Sequence, residues 1–242
     1  GYAYCFKLVN LFYTGENLQA LLKKVSVVKM FVNKTNNIPM IDMIAGFESA
    51  TNEQTSQLLS LTKEKEYIKQ WQNRQSHFAM CVFFTLKSVN NYLLGHAEES
   101  LRYANEAIKL NNFVVGMVLT AFCNYQHSLS LIANYSNNEA QKRKHKLETL
   151  KSNQVQMKQW SDQCPENFLH KYLIVEAEIA RLESKIEGAM DLYDQAIETA
   201  KANEFQQDYA LANELAGKFW LTQNKPRFAK LYMQEALAGY QS

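Results

Sequence analysis

A few groups of side chains in this 242-residue sequence are of types that could do chemistry. Lys142-Arg143-Lys144-His145-Lys146 is the one dense basic cluster, and such a run can meet phosphate, nucleic acid or an acidic protein. No aromatic platform is interleaved with it, so unpaired bases would have nothing to stack on. With Glu139 and Glu148 nearby, the cluster reads as a solvated helix face. His170, beside Lys171, has the right type for a phosphoacceptor or general base. No carboxylate at useful spacing stands ready to orient it, so a structural role is expected. Glu176 and Glu178, two positions apart, fall on different faces of a helix and make a poor acid and base pair. Glu176 is the expected partner of Arg181, or else lies on the surface. Tyr172, Tyr193, Trp220 and Tyr232 are the side chains among which a peptide or small molecule would bind. Against that, aromatic residues at helical spacing are more often core, as are Trp71, Trp160, Met157 and Met190.

Cys5, Cys81, Cys123 and Cys164 stand 76, 42 and 41 residues apart with no CxxC pair. That spacing suits neither a zinc site nor a small disulfide scaffold, and the four are expected to behave as small buried apolar residues. No GxxxxGK[ST], GxGxxG, HExxH or GxSxG occurs. The expectation is a segment with no catalytic residue, no metal site and no cofactor of its own.

The elements that must carry these residues are announced by a recurrence. Over residues 165–240 a helical hairpin appears and then appears again forty residues later: Ala177 falls on Gly217, Ala189 on Ala229, Tyr193 on Met233, Ala196 on Ala236 and Ile197 on Leu237. A fixed offset marks a repeat architecture, in which one hairpin cannot bury its own apolar face and stacks on a neighbour. First helices are predicted over 168–183 and 209–222, and second helices over 186–201 and 227–241. Ala189 and Ala196, like Ala229 and Ala236, lie seven apart on one stripe. Side chains that small let helices approach to the roughly 8–10 Å at which ridges interlock. Small residues in both helices with a bulky one wedged between is the pattern of a tetratricopeptide hairpin.

Earlier in the chain, helices are predicted over 2–13 and 18–32, with a turn at Thr14-Gly15-Glu16-Asn17, and from Pro39 to about position 48. Thr51-Asn52-Glu53 reads as a capping signal for the next helix. From 54 to 94 there is no Gly or Pro, so more than one helix is expected there, broken near Thr62. Helices follow over 98–110, with Ser100, Ala104 and Ala107 repeating the small-residue pattern, and from about 113 to 135. Ser136-Asn137-Asn138 is the turn, and 139–163 is a long polar helix. The turn Asn224-Lys225-Pro226 lacks glycine, although asparagine also tolerates the left-handed conformation. The domain expected is a single helical-repeat domain: loosely defined hairpins over 1–62, long helices over 63–163, and two clear hairpins over 164–242.

Composition agrees. Eight glycines and three prolines are few breakers for so long a chain. An apolar fraction of 47%, with 12% aromatic residues, excludes a disordered chain. A net charge of +2 from 26 basic and 24 acidic residues offers no strong field, so nucleic acid is not an expected partner. No apolar run reaches the roughly 18 residues that cross a bilayer, so membrane insertion is not expected. Reduced cysteines make a cytoplasmic setting the default. Gly1 opens the chain and nothing there resembles a signal peptide, so a piece of something longer is expected.

The second half resembles the helical-repeat region of very large bacterial signalling proteins. The residues that carry the resemblance are Cys164-Pro165-Glu166-Asn167-Phe168-Leu169-His170-Lys171-Tyr172, Glu176-Ala177-Glu178-Ile179-Ala180-Arg181, Leu192-Tyr193-Asp194-Gln195-Ala196-Ile197, Ala210-Leu211-Ala212-Asn213-Glu214-Leu215-Ala216 and Phe219-Trp220-Leu221. Tyr92-Leu93-Leu94-Gly95 and Ser128-Leu129-Ser130-Leu131 are similar more loosely. In that family a serine/threonine kinase-like domain precedes an AAA-type, STAND-like ATPase, a tetratricopeptide-like stretch, a GAF domain and a sensor histidine kinase. The resemblance implies ATP and phosphotransfer in neighbouring domains and carries no catalytic residue into this one.

The fold class expected is therefore all-α, a tetratricopeptide-like α-solenoid of stacked antiparallel hairpins. The function expected is a non-catalytic scaffold coupling an ATPase module to sensor and histidine-kinase modules, with neighbouring domains of the parent chain or another protein as partner. The alternative is a receptor that takes a peptide or small ligand in a concave groove. Leu237 and Tyr240 on the last helix have nothing after them to cover their face, which predicts a following segment.

Overall fold

A computed structural model describes residues 2–53, 61–135 and 140–241. Its elements are α1 (Tyr2–Thr14), α2 (Leu18–Lys34), α3 (Ile38–Glu53), α4 (Leu61–Asn73), α5 (His77–Leu93), α6 (Ala97–Lys109), a 3-10 turn (Asn111–Phe113), α7 (Val118–Ala133), α8 (Ala140–Gln163), α9 (Pro165–Leu182), α10 (Ile186–Ala202), α11 (Gln206–Thr222) and α12 (Pro226–Gln241). No strand occurs among the described residues. The fold class is all-α, of the tetratricopeptide-like α-solenoid type.

One device ends several of these helices. After α9, Ser184 takes a left-handed φ of 61°. Its N–H bonds to the Arg181 carbonyl at 3.1 Å, and the Lys185 N–H bonds to the Ala180 carbonyl at 2.8 Å. This is a Schellman cap, which satisfies two carbonyls that the helix end would leave orphaned. The same pair of bonds recurs around Glu204 and around Asn224, forty residues after Ser184. Asn224 has φ 55°, so it does the work expected of a glycine at that turn. Gly95 caps α5 in the same way, with φ 77° and no side chain to strain.

Chain contacts divide the molecule into two compact units, Gly1–Asn10 with Leu18–Lys146, and Leu11–Asn17 with Leu147–Ser242. In the second unit, α9 packs on α10, α10 on α11, and α11 on α12. Ala177, Ala189 and Ala196 are 0% exposed, and Ala229 and Ala236 only 2% and 3%. The alanine stripes thus lie at the helix contacts, as the forty-residue offset predicts. Tyr193, at 1% exposure, fills the space between them with its ring 5.5 Å from that of Phe219. In the first unit, α5 is the central element and packs on α3, α6 and α7.

Several boundaries differ from expectation. Thr51, Asn52 and Glu53 do not start a helix; they close α3, and the Thr51 hydroxyl donates to the Phe47 carbonyl at 2.6 Å, one turn back. The break expected near Thr62 falls beside the start of α4 at Leu61, next to residues outside those described; a further interruption, which the sequence did not place, falls at 74–76, where Gln75 adopts φ 54°. A glutamine in the left-handed region leaves no trace that composition can show. The helix expected from about 113 begins only at Val118, because Gly116, with φ 80°, and the 3-10 turn precede it. The expected turn at Ser136-Asn137-Asn138, the start at Glu139 and the stretch 54–60 lie outside the described residues.

Candidate docking surface and buried polar clusters

Of the four aromatic residues singled out by sequence, three share a neighbourhood in the second unit. Tyr193 of α10 is interior: its hydroxyl donates to the Glu178 carboxylate, which also accepts from Arg181 through Nε at 3.0 Å and Nη2 at 2.6 Å. Arg181 therefore pairs with Glu178 and not with Glu176, because a three-residue step along α9 puts both on one face. Glu176 instead accepts from Gln154 Nε2 of α8 at 2.8 Å. Outward from Tyr193 come Phe219, then Trp220 edge-on to it with ring centroids 5.3 Å apart, then Phe228 tilted at 5.0 Å from Trp220. Trp220 and Tyr232 are half-buried. The Tyr232 hydroxyl donates to Asp194 at 2.6 Å. Burial and that carboxylate push its phenol up to about 12, against a hydrogen bond from Trp220.

This aromatic ladder runs from the core to an apolar face on α12, where Phe228 and Leu231, one turn apart, are 50% and 62% exposed. Leu237, 58% exposed, lies on the opposite side of α12 from Phe228, and Tyr240 one turn on from it donates to Glu214 at 2.7 Å. Tyr172 stands apart from the ladder. It lines an open cleft of about 420 Å³ with Lys151, Gln154, Lys158, Glu176 and Ile179, between α8 and α9. The cleft mixes both signs of charge around an aromatic and aliphatic floor.

The cluster that sequence reasoning missed surrounds His170. A carboxylate does orient it: Asp208, on α11, has Oδ2 3.1 Å from His170 Nε2. Lys171 donates to the same oxygen and lies 2.7 Å from His170 Nε2. Phe205 closes the group, with its ring 4.3 Å from the imidazole and 4.2 Å from Lys171 Nζ. His170 and Lys171 are 0% exposed and Asp208 5%. Burial, aided by the Lys171 charge and opposed by Asp208, lowers the imidazole pKa, so the ring is neutral at pH 7. Burial alone would raise the Asp208 carboxyl, yet Lys171 and His170 hold it below the usual carboxylate range. A sealed ion pair of this kind positions helices; no opening brings a substrate to it. The signal was present in the sequence only as an offset of 38, close to one repeat length.

The first unit has counterparts. Glu64 of α4, 6% exposed, accepts from Tyr103 at 2.6 Å and pairs with Lys87 at 2.9 Å. Asp42 of α3 pairs with Arg74 at 2.7 Å and accepts from Ser76 at 2.5 Å, which ties α3 to the turn before α5. At the start of α8, Lys142, Lys144 and His145 are exposed, whereas Lys146 is part-buried and donates to the Asn134 carbonyl at 2.8 Å. Among the described residues no group of three His, Cys, Asp or Glu side chains is placed to hold a metal ion, and no helix is long and apolar enough to cross a membrane.

A protein-family model described as CHK1-like, TPR repeats matches residues 55–237. No curated protein matches the chain. No solved structure matches it either.

Proposed function

The chain belongs to the CHK1-like family of TPR repeats, and from that footing we propose that it is a non-catalytic docking scaffold within a multi-domain signalling protein. TPR repeats generally mediate protein–protein interaction. The scaffold couples an ATPase module to sensor and histidine-kinase modules, and its partner is a neighbouring domain of the parent chain or another protein. The observation that carries this reading is the ladder Tyr193, Phe219, Trp220 and Phe228, which joins the hairpin core to the exposed apolar face of α12. A contact made there would take out of water the apolar surface that α12 leaves exposed.

Co-purification of the chain with separately expressed neighbouring domains tests the proposal. Phe228→Glu with Leu231→Glu is expected to abolish co-purification while leaving the melting temperature within about 2 °C, because both side chains are exposed. Undiminished co-purification by the double variant would remove α12 as the docking face. Nucleotide hydrolysis by the isolated chain is expected to be nil, and turnover that survives repurification would overturn the non-catalytic assignment.

The cleft at Tyr172 favours a second reading, a receptor for a peptide or small ligand. In that case Tyr172→Ala would lower ligand affinity and leave co-purification through α12 unchanged.

A further inference from the structure

Along the contact between α5 and α7, the two helices meet through small side chains. Cys81 Sγ of α5 lies 3.6 Å from Cys123 Sγ of α7. Both thiols are free, and they are 0% and 2% exposed. Two turns farther along, Ser88 Oγ lies 3.2 Å from Ser130 Oγ, with Ser100 of α6 joining the pair at 2.7 Å from Ser130. Cys81 and Cys123, like Ser88 and Ser130, are 42 residues apart. The helices therefore keep one register at both heights, and their Cα atoms come within 8 Å. Only residues as small as serine and cysteine allow that approach.

We propose that Cys81 and Cys123 are a redox-active pair that closes to a disulfide and staples α5 to α7 when the chain meets a low-molecular-weight disulfide such as oxidised glutathione. A disulfide holds its sulfurs about 2.05 Å apart, so the two thiols need to close by about 1.5 Å, within reach of side-chain rotation with a small backbone adjustment. The chemistry is thiol–disulfide exchange. One cysteine, as thiolate, attacks a sulfur of the oxidant; the oxidant's S–S bond breaks and one small thiol leaves with a proton from solvent. The second cysteine sulfur then attacks the mixed disulfide, losing its own proton and releasing the second small thiol. Two electrons pass from the protein sulfurs to the oxidant, and two small thiols form for each protein disulfide. Because both sulfurs are sealed from solvent, exchange proceeds only when the α5–α7 contact opens transiently. In a reducing compartment the pair stays a dithiol. Cys5 and Cys164 have no second thiol within contact distance among the described residues, so the pairing is specific.

The test incubates the purified chain with oxidised glutathione, blocks free thiols by alkylation, and maps peptides by mass spectrometry. The expected result is a Cys81–Cys123 linked peptide, with Cys5 and Cys164 alkylated or carrying glutathione. Closing a 42-residue span is expected to raise the melting temperature by roughly 5–10 °C, reversed by dithiothreitol. Cys123→Ala should lose the linked peptide and the shift. Should that variant fail to fold, the dithiothreitol-reduced chain is the reference. Alkylation of both Cys81 and Cys123 after prolonged incubation, or links scattered among the other pairs, would overturn the proposal.

Discussion

Lys171 and Asp208, 37 residues apart in sequence, form an ion pair in the interior of the second unit, and His170 shares the same carboxylate oxygen. Two charges so far from water are tolerable only together, because removing either one takes the opposite charge away from the other. Asp208→Ala or Lys171→Met is therefore expected to cost about 3–5 kcal/mol in urea unfolding. The double variant Lys171→Met with Asp208→Leu should recover most of that loss. Additive losses in the double variant would show that the pair itself does not carry the effect.

Stability should depend on pH through two histidines. Burial depresses His127 to about 4, and His170 is also lowered by burial. Each folded value lies below the unfolded value near 6.5, so the unfolded chain takes up the proton first as pH falls. The contribution of each is fully present above about pH 6.5 and is lost as pH drops toward the folded value, at up to about 1.4 kcal/mol per pH unit for each. Urea midpoints at pH 5, 6, 7 and 8 check this. His127→Gln should flatten the slope below pH 6.5, and an unchanged slope in that variant would contradict the assignment.

Two glycines on the α11–α12 contact should respond differently to alanine. A Cβ at Gly239 would lie 2.9 Å from the Ala210 Cβ and 3.3 Å from its Cα, groups that cannot move aside. A Cβ at Gly217 would meet the end of the Met233 side chain at 2.9 Å, which can swing away. Gly239→Ala is expected to destabilise by about 1–3 kcal/mol from overpacking, reduced by the gain of about 1 kcal/mol in helix propensity. Gly217→Ala should be near neutral. Ala196→Arg, at a position 0% exposed, should be worse than either. Thermal melts of the three variants decide the order.

Tyr193 and Tyr232 both donate to carboxylates, one buried and one exposed. Tyr193→Phe leaves a lone pair of the buried Glu178 unanswered and should cost about 1–3 kcal/mol. Tyr232→Phe, whose partner Asp194 is free to hydrate, should cost under about 1 kcal/mol. Equal losses would argue against the interior placement of Tyr193.

What the sequence determined by itself was local. The turn residues Gly15, Gly95 and Asn224, and the alanines at 177, 189, 196, 229 and 236, act within one hairpin or one repeat length, so helix type and stacking faces could be read from spacing alone. What only the tertiary structure decided was which side chains from neighbouring repeats meet. Gln75 turns the chain without a glycine, Asp208 answers His170, Arg181 chooses Glu178 over Glu176, and Cys123 comes to lie against Cys81. The physical reason is that a helix period is set by backbone hydrogen bonds four residues apart. Contacts about forty residues apart depend on how closely and at what register two helices pack, and that is settled only when small and large side chains interlock.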